Sequence, residues 1–353
     1  MAEAAPMNGG KGKYSYANNS NIQREGFNSA KNLIKDVIIQ NLDVKAIIIS
    51  SISNTFTIAD LGCSVGPNTF FSMQNIIESI EQKYGQTEGG LEFQVFFNDQ
   101  VANDFNTLFA SLPVDRRYYA TGVPGSFHGR LFPASSICLA YSSSSIHWLS
   151  KVPRDLVDKN SPAWNKGKIH YTGAKDEVVG AYAAQFEEDM DMFLNARGEE
   201  ILKGGMIVII MPGVPDGIVE HDVGIAFSFL ESILLDMVKE GLINEDEVDS
   251  FNIPHVYPSI KQMSRIVEKN GRFSIIKTAL RNYRPDPKVP TDNEVAVMHL
   301  RALAEGTFAN HFRSDTVAEV FRRAIQQKSK LGHMFDSSGI EVGAQLFAIL
   351  MRK

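Results

Sequence analysis

Ile58-Ala59-Asp60-Leu61-Gly62-Cys63-Ser64-Val65-Gly66-Pro67-Asn68 carries an apolar strand into an acidic residue and two closely spaced glycines. Glycines let a backbone approach a ligand with no Cβ in the way, and a helix that starts after them presents unpaired N–H groups to it. The stretch therefore predicts a nucleoside-binding turn at the end of a strand, although a Gly-rich turn with only a structural role has the same appearance. The place of the acid separates it from dinucleotide folds, which usually show G-x-G-x-x-G with the acidic residue well downstream.

Continuous apolar and β-branched runs at 56–61, 93–97, 136–141 and 206–211 read as strands covered on both faces. Helical patterns fill the intervals at 70–84, 102–111 and 177–202, the last with Val178, Tyr182, Phe186, Met190, Phe193 and Arg197 at spacings of three and four. This alternation predicts an α/β fold, a doubly wound parallel sheet with helices on both faces. Gly204-Gly205 reads as the stop of the long helix before the strand at 206–211. After Pro212 the rhythm changes: helical patterns at 225–240, 245–251, 260–269, 294–312 and 316–331, with strand-like runs at 273–278 and 346–351. The expected organisation is a lid segment over 1–50, a ligand-binding core over 51–213, and a mainly helical cap over 214–353 whose strands return to complete the core sheet. The Pro-rich stretch 284–290 reads as a mobile loop.

A chain of 353 residues, 44% hydrophobic, buries a large core. A net charge of −6 with scattered Lys and Arg argues against the basic patch that nucleic-acid binding needs, and favours a small organic ligand. Cys63 and Cys138 have neither paired spacing nor a companion His cluster, so no disulfide framework and no metal site is expected, which suits the cytoplasm. The polar start of the chain and the shortness of its longest apolar run predict a protein without a membrane partner.

Asn98-Asp99 ends the second strand, where doubly wound folds place a carboxylate on ribose hydroxyls; a helix cap is the structural alternative. Pro124-Gly125-Ser126-Phe127 is a tight turn after a strand, either no more than a turn or an adenine site offering an aromatic face and a hydrogen-bond partner. Ser142-Ser143-Ser144-Ser145-Ile146-His147-Trp148 follows the strand at 136–141 at the carboxyl edge of the sheet. Its small hydroxyl residues leave room beside a ligand, and His147 and Trp148 offer imidazole and indole N–H donors to an anionic oxygen. Tyr14 to Gln23 is polar and aromatic, and by composition alone reads as a helix cap at Asn19 or Ser20.

Taken together, Tyr16-Ala-Asn-Asn-Ser20-Asn-Ile-Gln23, the 58–68 turn, Phe97-Asn-Asp99, Asn103-Asp-Phe-Asn106, Val123-Pro-Gly-Ser-Phe127, Gly129-Arg-Leu-Phe-Pro133 and His147-Trp-Leu-Ser-Lys-Val-Pro153 resemble the plant SABATH methyltransferases. The resemblance runs end to end and includes Asn165-Lys-Gly-Lys168 and Phe251-Asn-Ile-Pro254. It implies a Rossmann-like methyltransferase sheet, S-adenosylmethionine as methyl donor and a homodimer; it admits Mg2+ at a structural site, without a catalytic role. It also implies that Tyr16, Ser20, Asp60, Gly62, Cys63, Asn68, Asp99, Ser126, Phe127 and Ser142 surround the donor. Gln23, His147 and Trp148 would orient the acceptor carboxylate, beside Ser144, Ala226, Phe227, Leu300 and Leu303.

A carboxylic acid with a pKa of about 4–5 is ionised at neutral pH, so its methylation requires positioning and no general base. Against the family's salicylate-type members Ser144 stands for a tyrosine, His147 for a methionine, Phe227 for a tryptophan, Ala226 for an isoleucine and Gly343 for a phenylalanine. Nearly every change removes volume, which implies an acceptor larger than salicylate, terpenoid or oxylipin-like. Asn8 stands for a lysine that lies near the carboxylate in some members. The rivals are N-methylation of a xanthine, in which His147 would polarise or deprotonate an N–H, and a catalytically idle ligand-binding homologue. A nicotinamide oxidoreductase fits less well, given the acid before the glycines.

Overall fold

The computed structural model describes residues 7–10, 12–50, 54–85, 90–282, 293–338 and 344–353. The Pro-rich stretch at 284–290 and Gly343 lie outside them. Seven strands form one mixed sheet: β1 Thr55–Leu61, β2 Glu92–Asp99, β3 Tyr119–Pro124, β4 Ile137–Ser143, β5 Ile201–Pro212, β6 Phe273–Asn282 and β7 Ala344–Arg352. Their order is β3-β2-β1-β4-β5-β7-β6. The expected parallel arrangement holds for β1 to β5, whereas β7 runs antiparallel to both β5 and β6.

Helices cover both faces because the central strands are apolar on both. On β5, Met206, Val208 and Ile210 join one core cluster while Ile207, Ile209 and Met211 join the other, and β7 splits its residues in the same way. The first face is covered by α2 Asn21–Asn41, α3 Val44–Ser50 and α4 Pro67–Tyr84, which follow the single turn α1 Tyr16–Asn19. α5 Phe105–Ala110 precedes β3. The second face is covered by α6 Asp176–Glu200 and α9 Ile260–Asn270. A third apolar cluster joins α7 Asp222–Lys239, α8 Glu245–Asp249, α10 Asn293–Ala309, α11 Ser314–Gln326 and α12 Lys328–Ser338, the helical assembly expected after Pro212.

Gly204-Gly205 has a different job from the helix stop read in the sequence. α6 ends at Glu200, and Ile201 is already extended, with φ −82° and ψ 134°. The glycines lie inside β5, where the register against β4 jumps from Ile137↔Ile201 to Leu139↔Met206. Gly204 takes φ +78°, and a Cβ on Gly205 would lie 2.7 Å from the Cys138 carbonyl oxygen, so the bulge demands both. The run read as one helix over 316–331 is two, α11 and α12, separated at Gln327.

Candidate active site

The turn after β1 is built around the end of β2. Gly62 takes φ +86° and Ser64 φ +52°, which lets the N–H groups of Gly62 and Cys63 both donate to the Asn98 carbonyl, at 2.9 and 3.0 Å. Ser64 N–H then donates to one Asp99 carboxylate oxygen at 2.7 Å and Gln100 N–H to the other at 2.8 Å. Asp99 is thus fixed by backbone donors and does not cap the following helix; that role belongs to Asp104, whose side chain accepts from Thr107 N–H. Burial pushes the Asp99 carboxyl up to about 6 against these two bonds. Asp60, 2% exposed, accepts from the Thr69 hydroxyl, and burial, reinforced by nearby Asp99, pushes it up to about 7. Two buried carboxylates this close favour a cationic guest, which would restore the ionised form of each.

Ser126 and Phe127 are aimed by the neighbouring elements. Asn98 donates from its side chain to the carbonyls of Val123 and Gly125, at 2.7 and 2.9 Å, and so ties the end of β3 to that of β2. From the far side Arg197 donates to the carbonyls of Phe127 (2.8 Å) and Gly129 (2.9 Å), while its buried partner Glu200 accepts from Leu131 and Phe132 N–H. The last turn of α6 therefore clamps the whole loop that presents Ser126 and Phe127.

The opposite wall comes from the turn after β4 and from α2. Ser144 takes φ +54° and its N–H donates to the Ile210 carbonyl at 2.8 Å, so the chain swings His147 and Trp148 beneath the cap. A short antiparallel pairing fixes them: Val256 N–H donates to the His147 carbonyl and Leu149 N–H to the Pro254 carbonyl, with Trp148 opposite His255. The His255 ring packs edge-on against both, 4.6 Å from His147 and 4.8 Å from Trp148. Burial holds the His147 imidazole down to about 3, which keeps it neutral at physiological pH, and its Nδ1 has no protein partner. Gln23, in the first turn of α2, has a buried Oε1 that is also without one.

A cavity of about 1300 Å³ joins these pieces. Tyr16, Gln23, Gly62, Asp99, Ser126, Phe127, Ser144, His147, Trp148, Ala226, Leu300 and Leu303 all line it. Ser20, Asp60, Cys63, Asn68 and Ser142 sit behind the wall and brace it. Asn68 donates to the Ser20 hydroxyl and carbonyl, each at 3.0 Å, so the Ser20 side chain holds the start of α4 and makes no helix-capping bond. The Ser142 hydroxyl donates to the Leu61 carbonyl, and Cys63 is buried in the first core cluster. Phe227 is not brought to the cavity: next to Ala226 on α7, it points about 100° away, into the cap core against His170 and His255.

Asn252, His255, Tyr257 and Thr307 line the cavity and went unread in the sequence. The stretch at 251–254 marked the segment without giving a role. Asn8 donates to the Glu305 carboxylate at 2.6 Å and does not line the cavity. Among the described residues no group of three or more His, Cys, Asp or Glu has metal-holding geometry, and no helix is long and apolar enough to cross a membrane.

A sequence profile of the family described as SAM dependent carboxyl methyltransferase matches residues 2–353. Loganic acid O-methyltransferase of Catharanthus roseus is 43% identical, over 99% of this chain and 95% of its own. Farnesoic acid carboxyl-O-methyltransferase of Arabidopsis thaliana is 37% identical, over 94% of each chain. A solved structure of loganic acid methyltransferase with SAH matches with a TM-score of 0.93 at 42% identity, covering 99% of both chains.

Proposed function

The chain belongs to the S-adenosylmethionine-dependent carboxyl methyltransferases, and on that premise we propose that it esterifies the carboxylate of a small-molecule acid larger than salicylate, with a terpenoid or oxylipin-like frame. Loganic and farnesoic acid, the acceptors in the names of two relatives, both exceed salicylate in size. The cavity of about 1300 Å³ exceeds the roughly 300–1,000 Å³ of an ordinary small-molecule pocket, as a site for two ligands must.

When bound, S-adenosylmethionine supplies an electrophilic methyl group on a sulfonium. The residues present fit it. Asp99 keeps lone pairs for the ribose hydroxyls beyond its two backbone donors, Ser126 and Phe127 offer a hydroxyl and an aromatic face to the adenine, and Tyr16, Gly62 and Ser64 complete the wall. The buried charge of Asp60 and Asp99 attracts the cation through the turn that they brace. Of the lid expected over 1–50, α1 and the start of α2 bring Tyr16 and Gln23 to the cavity, while the rest of α2 and α3 pack on the first face of the sheet.

Gln23 and Trp148 orient the acceptor carboxylate and His147 lends a third polar edge. Holding an oxygen about 3 Å from the reacting carbon, away from water, draws on the roughly 7–11 kcal/mol available from proximity. The observation that carries the reading is the match to carboxyl methyltransferases along the whole chain, and the buried, neutral His147 imidazole agrees with it, since a carboxylate has no proton to lose. In the assay that tests this, protein and labelled S-adenosylmethionine meet a panel of acids and xanthines, and the products are treated with alkali. Methyl esters release the label. Label retained on a xanthine, or transfer to no acid, overturns the proposal.

A further inference from the structure

Helix α10 presents a stripe to the cavity that changes character along its length. Ala296, Leu300, Leu303 and Thr307 recur at spacings of three and four and line one wall. One residue before Leu300 the helix is tied to the amino-terminal segment that leads to Gln23, because His299 Nδ1–H donates to the Asn19 carbonyl at 2.8 Å. From Leu300 to Thr307 is two turns, about 10 Å at about 1.5 Å per residue. The carboxylate end of the cavity thus adjoins the apolar part of the stripe, and its polar part lies a molecule's length away.

Two buried polar groups of the cavity wall have no protein partner there. Asn252 and Thr307 both line the cavity, and the Phe251 and Phe308 rings, which pack at 4.8 Å, hold the two segments that carry them against each other. Asn252 is 3% exposed, and the orientation of its amide is fixed by a chain of bonds. Asn165 Nδ2 donates to the His170 carbonyl, which only accepts, and also to Asn252 Oδ1 at 2.7 Å. The Asn252 NH2 therefore points elsewhere, and it has no partner. Thr307 is 9% exposed; a helical threonine usually returns its hydroxyl to the preceding turn, yet this one has no protein partner. Both groups lie against the cavity, so a hydrocarbon packed over them would leave a donor and a hydroxyl unsatisfied, which is costly.

We propose that Asn252 and Thr307 form a second polar subsite that receives an oxygen substituent at the end of the acceptor remote from its carboxylate, so that the enzyme selects oxygenated acids over hydrocarbon acids. This rests on the carboxylate reading above and narrows it. A hydroxyl there accepts from the Asn252 NH2 and exchanges a second bond with the Thr307 hydroxyl, while Ala226, Leu300 and Leu303 cover the carbon frame between the two polar ends.

The test uses a ladder of straight-chain monocarboxylic acids of increasing length, each paired with its terminal-hydroxy counterpart, and follows methyl ester formation with S-adenosylmethionine. At the length that spans the stripe the hydroxy acid is favoured over its parent by roughly tenfold or more in kcat/KM, the worth of one buried hydrogen bond or better. Thr307→Val collapses that ratio toward one through a higher KM for the hydroxy acid, and Thr307→Ser keeps the ratio. Equal use of both members at every length, or a Thr307→Val loss that falls on both members alike, overturns the subsite while leaving the esterification intact. Failure to esterify any acid overturns the carboxylate reading, and the subsite with it.

Discussion

At the scale of single residues the site works through placement and through buried charge. If Gln23 and Trp148 orient the acceptor carboxylate as proposed, Gln23→Ala and Trp148→Phe each remove one polar contact to an anion, worth about 1.5–3 kcal/mol or roughly 10- to 150-fold. Steady-state kinetics should show that loss in kcat/KM for the acid, with little change in the dissociation constant of the donor product measured by titration. The raised carboxyls make a second prediction. A carboxyl whose folded pKa lies above its unfolded value binds its proton more tightly when folded, so Asp60 favours the ligand-free fold fully below about 4, and that contribution is lost as the pH rises toward 7. Asp60→Asn should remove this part of the pH dependence, seen in the difference between the two proteins' urea midpoints at about pH 5 and about pH 8. Binding of the cationic donor should release protons near pH 6, detected as calorimetric heats that differ between buffers of different ionisation enthalpy. That Asp99 lines the cavity was legible because it ends the second strand, at the edge of the sheet where doubly wound folds bind ligands. Asn252, His255 and Thr307 were not: a hydroxyl left unpaired inside a helix looks in sequence like any other, and its want of a partner is a property of what surrounds it.

Among the elements, the end of α6 and the turn after β1 shape the part of the cavity proposed for the donor. Arg197→Met leaves Glu200 buried without its cation and should cost about 3–5 kcal/mol in urea unfolding, whereas Arg197→Met with Glu200→Gln should cost less than the sum of the single changes. The same variant should weaken binding of the donor product, because the loop at Phe127 loses its clamp. Gly62→Ala would set a Cβ 2.3 Å from that of Ser145 at a backbone angle that alanine avoids, so both stability and donor affinity should fall. Elements buried on both faces were readable from their apolar runs; β3 was not bounded, because an edge strand reading Tyr119-Ala-Thr-Gly-Val-Pro124 is half exposed and carries no such run. Glycines that serve a bulge inside β5 read equally well as the stop of α6, since both uses need positive φ and no Cβ. The break at Gln327 carries neither Gly nor Pro, and so left no mark in the pattern.

Over the whole molecule, ligand and fold are linked. Donor product at a hundredfold excess over its dissociation constant should stabilise the chain by about 2.7 kcal/mol, visible as a raised thermal midpoint that nicotinamide dinucleotides do not produce. Sedimentation velocity should report two copies per particle if the homodimer implied by the family resemblance forms. The alternation of strand and helix disclosed the sheet, but not the reversal of β7, because direction leaves no trace in hydrophobic periodicity. That reversal bears on synthesis. β7 lies between β5 and β6 although it is made after both and after α10, α11 and α12. While the ribosome is still translating those helices, the nascent sheet keeps an open groove beside β5, whose exposed ladder groups and apolar side chains are a template for the wrong strand. Chaperone demand should peak in that interval and end when the last strand slots in, so pulse-labelled chains stalled before Ala344 should be the ones found bound to holdases.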